Sequence, residues 1–215
     1  MSRRINNRKG RTSIAVIVDG KDEKWYMEKV KKHYSCTALK YISIKPELPS
    51  KKKVVELFDL AKTKVEAENS KVLLIIDLDE VLKSKSERYN FKIQYEKYLN
   101  ARQGKPARNC GWMKKLLVIV NNPCLEYWYL LHFNPTRKFY ADYAGLKNDL
   151  KKNLPLSQYE KTEEYYNSNP DIYKRLESWL KDARSNATPF DVTQCMTQGC
   201  SEMGTVFDCL DNYNL

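Results

Sequence analysis

The stretch Val72-Leu73-Leu74-Ile75-Ile76-Asp77-Leu78-Asp79-Glu80 joins five consecutive apolar residues to three carboxylates. A second stretch of the same kind, Ile14-Ala15-Val16-Ile17-Val18, ends at Asp19-Gly20. A short, continuous apolar run between polar residues is typical of a strand that is buried on both faces of a parallel sheet. The two stretches therefore predict parallel strands with acids at their carboxyl ends, where open α/β sheets carry their functional sites.

Strand and helix patterns alternate along the first two thirds of the chain. Strands are predicted over 13–19, 37–44, 72–77 and 116–120, and helices over 22–34 and from a cap at Ser50. We expect Pro46 and Pro49 in a loop, and an aromatic helix near Cys124 that Asn122 caps and Pro123 opens. This order predicts a doubly wound, mainly parallel four-stranded sheet over residues 13–133.

Three further regions complete the predicted organisation. Residues 1–12 form a flexible basic arm, which either grips phosphates or is a solvated tail. Residues 81–110 are a charged surface insertion, either a solvated helix or a clamp that stacks bases on Tyr89, Tyr95 or Tyr98. Residues 134–215 form a helical extension packed on the α/β domain, with helices over 143–154 and 171–187.

The composition narrows the classes of function. The 38 basic and 27 acidic residues of the 215-residue chain give a net charge of +11, which fits a polyanionic partner such as nucleic acid. A merely basic surface is the alternative. No run approaches the ~18 apolar residues of a membrane span, so we expect a cytoplasmic protein without membrane contact. The six cysteines lack a CxxC pair and the two histidines lie far from most of them, which disfavours a zinc site or histidine catalysis.

The strand-end acids predict a divalent metal site. Asp77 and Asp79 can point to one side of their loop, and Asp19 completes a cluster if its strand lies beside theirs. Such carboxylates suit Mg²⁺ or Mn²⁺ together with phosphate oxygens. Glu126 falls in the first turn of the aromatic helix. It is either a metal ligand, a general base, or only a complement to the helix dipole. Asp is also a common turn residue, which is the simpler explanation of the strand-end acids.

Several motifs resemble the RloB-like family. Asp19-Gly20-Lys21-Asp22-Glu23 with Tyr26 is similar to the family's EGxxTExxY element, and Asp77-Leu78-Asp79-Glu80 to its DxDE element. The stretch from Asn122-Pro123-Cys124 to His132-Phe133 resembles NPCFELWLLLHF, the most specific of these motifs. Tyr159-Glu160-Lys161 and residues 183–187 resemble the YxK and AxxNA positions, so the resemblance spans about residues 11–190.

The resemblance implies a Toprim-type fold and a Mg²⁺-dependent nuclease of bacterial, anti-phage defence, often encoded with an ATPase partner. Related effectors cleave RNA, including tRNA, or DNA. Asp19 stands where the family has Glu, and Asp77 and Asp79 match the acidic pair. Because Asp19 is one methylene shorter than Glu, Glu23 becomes a candidate for the missing carboxylate.

Three functions follow as hypotheses. The first is a metal-dependent nuclease in which Asp19, Asp77 and Asp79 bind the ion, Glu23 or Glu126 activates water, and basic residues hold the phosphate backbone: Arg3, Arg4, Arg8, Lys9, Arg11 and Lys21. The second is a catalytically weakened module that binds nucleic acid or a partner protein. The third is a nucleotide phosphotransfer enzyme that uses the same metal site. The sequence leaves open whether the chain forms a homo-oligomer.

Overall fold

The computed structural model describes residues 13–35, 43–49, 53–67 and 71–212, and its centre is one five-stranded sheet. The strands are β1 (Ser13–Val18), β2 (Ser43–Glu47), β3 (Lys71–Asp77), β4 (Leu116–Asn122) and β5 (Cys200–Ser201), in the spatial order β2-β1-β3-β4-β5. The first four run parallel and β5 is antiparallel to β4. The α/β class and the mainly parallel sheet are confirmed. The number of four strands is wrong, because a two-residue strand is too short to show any periodicity.

Helices connect the strands and make up most of the chain after β4. They are α1 (Lys21–His33), α2 (Val54–Glu66), α3 (Leu78–Lys83), α4 (Lys85–Arg102), α5 (Glu126–Leu131), α6 (Tyr143–Lys151), α7 (Glu163–Asn167), α8 (Ile172–Leu176), α9 (Leu180–Asn186) and α10 (Met203–Asp211). Short 3-10 segments cover Gly111–Lys115, Leu154–Leu156 and Glu177–Trp179. Within the described ranges, no helix combines the length and the apolar character that crossing a bilayer demands.

Alternate side chains of the central strands enter two hydrophobic clusters, one on each face of the sheet. Val16 and Leu73 lie in the cluster that includes residues of α1, α5 and the C-terminal helices. Ile17 and Leu74 lie in the other, with residues of α2 and α4. Because both faces are covered, the central strands are apolar at nearly every position.

Helix α4 corrects the interpretation of residues 81–110 as a surface insertion. Phe91, Tyr95 and Tyr98 are buried on one side of this helix, and Phe190 packs edge-on against the first two. Their spacing of four and three residues is helical, but the many charges between them concealed the apolar face. Of the three tyrosines suggested as a base-stacking clamp, only Tyr89 is exposed.

Other boundaries also differ from the sequence prediction. Pro46 lies within the edge strand β2, a position that tolerates the missing N–H, and most of the strand predicted over 37–44 lies outside the described residues. Ser50 also lies outside them, and Lys53 precedes α2 instead. Residues 171–187 form three short segments and not one helix, and the helix predicted over 143–154 ends at Lys151. Asn122 is the last residue of β4 and does not cap a helix, because α5 begins at Glu126.

Candidate metal centre

The predicted acids meet where the strand order reverses direction. Asp19 follows β1 and Asp77 ends β3, and these two strands are neighbours. From β1 the chain continues to β2 on one side, whereas from β3 it continues to β4 on the other. Crevices at such points are the usual ligand sites of open α/β sheets. The backbone N–H of Asp77 donates to Asp19 Oδ2 at 2.9 Å, which joins the two strand ends.

Glu23 is the third acid of this site. It lies in the first turn of α1, and its side chain folds back over Gly20. A Cβ at position 20 would lie 2.1 Å from Glu23 Oε2, so glycine is what permits this approach. Asp19, Glu23 and Asp77 each offer a carboxylate oxygen, and these three oxygens lie within 4.8 Å of one another. We call these three residues the acid cluster.

Asp77 is held from the neighbouring strand and the loop that follows it. Its Oδ1 accepts a hydrogen bond from Asn121 Nδ2 and its Oδ2 accepts one from the backbone N–H of Leu125, both at 3.0 Å. Asn121 Oδ1 in turn accepts from the Ser201 hydroxyl at 2.6 Å. Sequence reasoning missed Asn121 and Ser201, because only the pairing of β4 with β5 brings them together.

The buried carboxylates of the acid cluster repel one another unless a cation or protons neutralise them. Burial and the Asp77 charge raise the pKa of Asp19 well above its usual value, and burial and the Glu23 charge do the same for the pKa of Asp77. Burial and the Asp19 charge raise the pKa of Glu23 to about 8. Asp19 Oδ1 and Glu23 Oε2 are buried and have no hydrogen-bond partner among the described residues. These oxygens fit a hard divalent ion, which prefers carboxylate ligands.

These pKa values predict that the metal-free protein becomes less stable as the pH rises. The folded state keeps the Glu23 proton until about pH 8, whereas the unfolded chain loses it near the ordinary pKa of 4.5. Between these values the folded state binds more protons, so the free energy of unfolding falls by up to ~1.4 kcal/mol per pH unit for this group. We expect a lower Tm at pH 8 than at pH 6 in EDTA. Saturating Mn²⁺ should reduce the difference, because the ion replaces the proton; equal Tm values in EDTA would contradict the prediction.

The other two predicted catalytic acids lie outside the acid cluster. Asp79 is in the first turn of α3, and its Oδ1 accepts from the backbone N–H of Glu80 at 2.8 Å. Glu126 is fully buried in the first turn of α5 and pairs with Lys161, at 2.9 Å from Oε1 to Nζ. The same oxygen accepts from the Tyr159 hydroxyl at 2.7 Å. Nothing in the spacing of the sequence predicts that Lys161 meets Glu126 across 35 residues.

A cavity of about 500 Å³ opens beside the acid cluster. Its lining includes Asp19 and Asp77, together with Lys53, Ser84 and Ser86. Lys53 and Ser84 precede α2 and α4, so the amino-terminal ends of both helices border the cavity. Lys21 is exposed at the start of α1, while Arg3, Arg4, Arg8, Lys9 and Arg11 lie outside the described residues.

Comparison with known proteins identifies the family of this chain. Residues 14–210 match the family model described as RloB-like protein. The chain therefore belongs to the RloB-like family. No curated protein and no solved structure matches it.

Proposed function

We propose that this protein is a divalent-metal-dependent phosphodiesterase that cleaves RNA, including tRNA, or DNA. The observation that carries the proposal is the acid cluster, in which one oxygen from each of three carboxylates lies within 4.8 Å of the others. Two of these carboxylates have a buried oxygen without a partner in the described part of the chain. Repulsion between such groups is relieved by a cation. Mg²⁺ or Mn²⁺ in this position would polarise a phosphoryl oxygen and neutralise charge that develops on it.

The residues of the acid cluster would have different roles in the cleavage reaction. Hydrogen bonds from the ends of β3 and β4 and from the loop after β4 fix Asp19 and Asp77, which suits them to hold an ion in one place. Glu23 lies within reach of the same ion, and its carboxylate would activate a water bound there as the general base. Asp79, one residue beyond Leu78, stays a proposed ligand at the edge of the site. Lys21 and the basic arm would hold the phosphate backbone.

The charge of the chain supports a polyanionic substrate. Its net charge of +11 favours nucleic acid over a small neutral molecule. A role in bacterial, anti-phage defence, with an ATPase partner that controls the activity in the cytoplasm, is our proposal from the RloB-like resemblance. The structure contains one chain, so this partner and a homo-oligomer both remain part of the proposal.

A matched pair of Glu→Gln variants on α1 tests the proposed activity. The purified protein should cleave labelled tRNA or single- or double-stranded DNA with Mg²⁺ or Mn²⁺, and not in EDTA. Glu23→Gln should lower the rate by ~100-fold or more, because a general acid or base usually contributes ~100- to 10,000-fold. Glu28→Gln, on the exposed side of the same helix, should keep the wild-type rate. Cleavage that is unaffected by EDTA or by Glu23→Gln would refute the proposal.

A binding module without catalysis is the second candidate, and one observation favours it. Glu126, a predicted general base, already pairs with Lys161 and Tyr159, which leaves fewer free carboxylates for proton transfer. Such a module would bind labelled tRNA or DNA with strong dependence on salt, yet show no turnover with Mg²⁺ or Mn²⁺, even with its partner present. Any metal-dependent turnover that Asp77→Asn abolishes would exclude this candidate.

A further inference from the structure

A second group of charges lies beside the acid cluster and contains its own cation. Lys161 Nζ is 2.9 Å from Glu126 Oε1 and 3.3 Å from Asp22 Oδ2, so one ammonium bridges two carboxylates. Glu126 is fully buried, and its Oε2 has no hydrogen-bond partner within the ranges that the structure describes. We call the two carboxylates of Asp22 and Glu126, together with the Lys161 ammonium between them, the lysine-bridged pair.

Aromatic residues contact both partners of the ion pair between Lys161 and Glu126. The Tyr159 hydroxyl donates to Glu126 Oε1 at 2.7 Å and lies 2.8 Å from the Tyr166 hydroxyl. Lys161 Nζ lies 4.6 Å from the centre of the Tyr143 ring, within the range of a cation–π contact. About one third of the Lys161 side chain is exposed. The charge is therefore fixed by contacts on several sides and is not on a freely moving surface lysine.

The lysine-bridged pair and the acid cluster belong to one electrostatic unit. The Glu126 charge acts on Asp77 and on Glu23, and the Asp22 charge also acts on Glu23. Together the two groups contain five carboxylates. Within the described part of the chain, Lys161 is the one cation at ion-pair distance from any of these five.

We propose that Lys161 is a built-in cation that occupies the place of a second divalent ion, so that the crevice binds one ion per chain. The inference rests on the proposed metal site and goes beyond it by assigning its stoichiometry. A divalent ion bound to Glu126 and Asp22 would lie against a fixed ammonium and be repelled by it. No described Lys or Arg makes an ion pair with the acid cluster, so a divalent ion would bind there without this repulsion. Lys161 is thus a positioning residue, which holds Glu126 and Asp22 away from metal ligation.

Mn²⁺ binding to the full chain tests this stoichiometry directly. Titration calorimetry and electron paramagnetic resonance should give one Mn²⁺ per wild-type chain, with the spectrum of an isolated ion. Lys161→Met should give two ions per chain and the signals of a spin-coupled pair. Lys161→Gln, which keeps a hydrogen-bond donor near Glu126 without the charge, should also give two, and serves if the Met variant does not fold.

Two control variants show whether a change in Mn²⁺ stoichiometry comes from the charge next to Glu126 or from the loss of any lysine. The double variant Glu126→Gln/Lys161→Met lacks the carboxylate that would hold the second ion, so it should bind one Mn²⁺. Lys174→Met removes a lysine from the exposed pair with Glu177 and should also leave one ion bound.

The outcomes of the Mn²⁺ titration distinguish a failure of the proposed metal site from a failure of the role proposed for Lys161. If the wild-type chain binds no Mn²⁺, the proposed metal site itself is wrong. If it binds two, the metal site stands and the role assigned to Lys161 is wrong. If wild type and both Lys161 variants each bind one ion, something other than the ammonium excludes the second, which also overturns the inference.

Discussion

Asp77→Asn is expected to lower metal-dependent cleavage by on the order of 1,000-fold, the consequence of losing several kcal/mol of charge stabilisation at the phosphate. Both carboxylate oxygens of Asp77 accept a hydrogen bond, one from Asn121 and one from Leu125. Asn at this position keeps the size of the side chain but removes the charge, so Mn²⁺ affinity should fall together with the rate. Single-turnover cleavage and Mn²⁺ titration measure both effects.

The stability of this variant must be measured alongside its rate. An Asn side chain can still accept one of the two hydrogen bonds, and the other becomes a contact between two donors, which costs about 1–3 kcal/mol. Asp182→Asn, at an exposed position on α9, is the matched control and should change neither rate nor stability. A folded Asp77→Asn protein that cleaves at the wild-type rate would contradict the proposed role of the cluster.

Lys161→Met is expected to lower the free energy of unfolding by about 3 kcal/mol. The substitution leaves Glu126 as a buried, uncompensated charge, and breaking a buried pair in this way costs ~3–5 kcal/mol. The lower value applies because part of the Lys161 side chain is exposed. For a chain of this size the loss corresponds to a decrease in Tm of roughly 6–12 °C. Urea unfolding and thermal melting in EDTA measure it.

Two further measurements identify the cause of that loss. Glu126→Gln/Lys161→Met removes both charges and should recover most of the stability, because no buried charge is left unpaired. Saturating Mn²⁺ should stabilise Lys161→Met more than the wild-type chain, since a second ion then binds the folded state. A Lys161→Met protein as stable as wild type in EDTA would show that the ion pair between Lys161 and Glu126 does not contribute this stability.

The centre of the fold was predictable from local pattern alone. Apolar runs such as residues 72–76 are typical of parallel strands covered on both faces, and acids that follow such strands share one edge of the sheet. The proposal that Glu23 supplements the shorter Asp19 agrees with the geometry, because Glu23 lies within the cluster. This much follows from residues that are close together in the sequence.

The remainder depends on contacts between distant residues. The two-residue strand β5 has no pattern of its own and forms because Cys200 and Ser201 pair with the end of β4. Lys161 lies on a short connection before α7, and only the packing of the C-terminal helices brings it to Glu126. Such long-range partners decide whether a buried carboxylate faces an ion or an ammonium, and the sequence pattern contains no signal for them.

Diffraction from crystals grown with Mn²⁺, recorded at the manganese absorption edge, tests the central claim most directly. We predict one anomalous peak per chain, among the carboxylate oxygens of Asp19, Glu23 and Asp77, and none between Glu126 and Asp22. The peak should disappear in crystals of Asp77→Asn. A peak bound by Asp79 and Glu80 alone, or no peak at the strand ends at saturating Mn²⁺, would contradict the account.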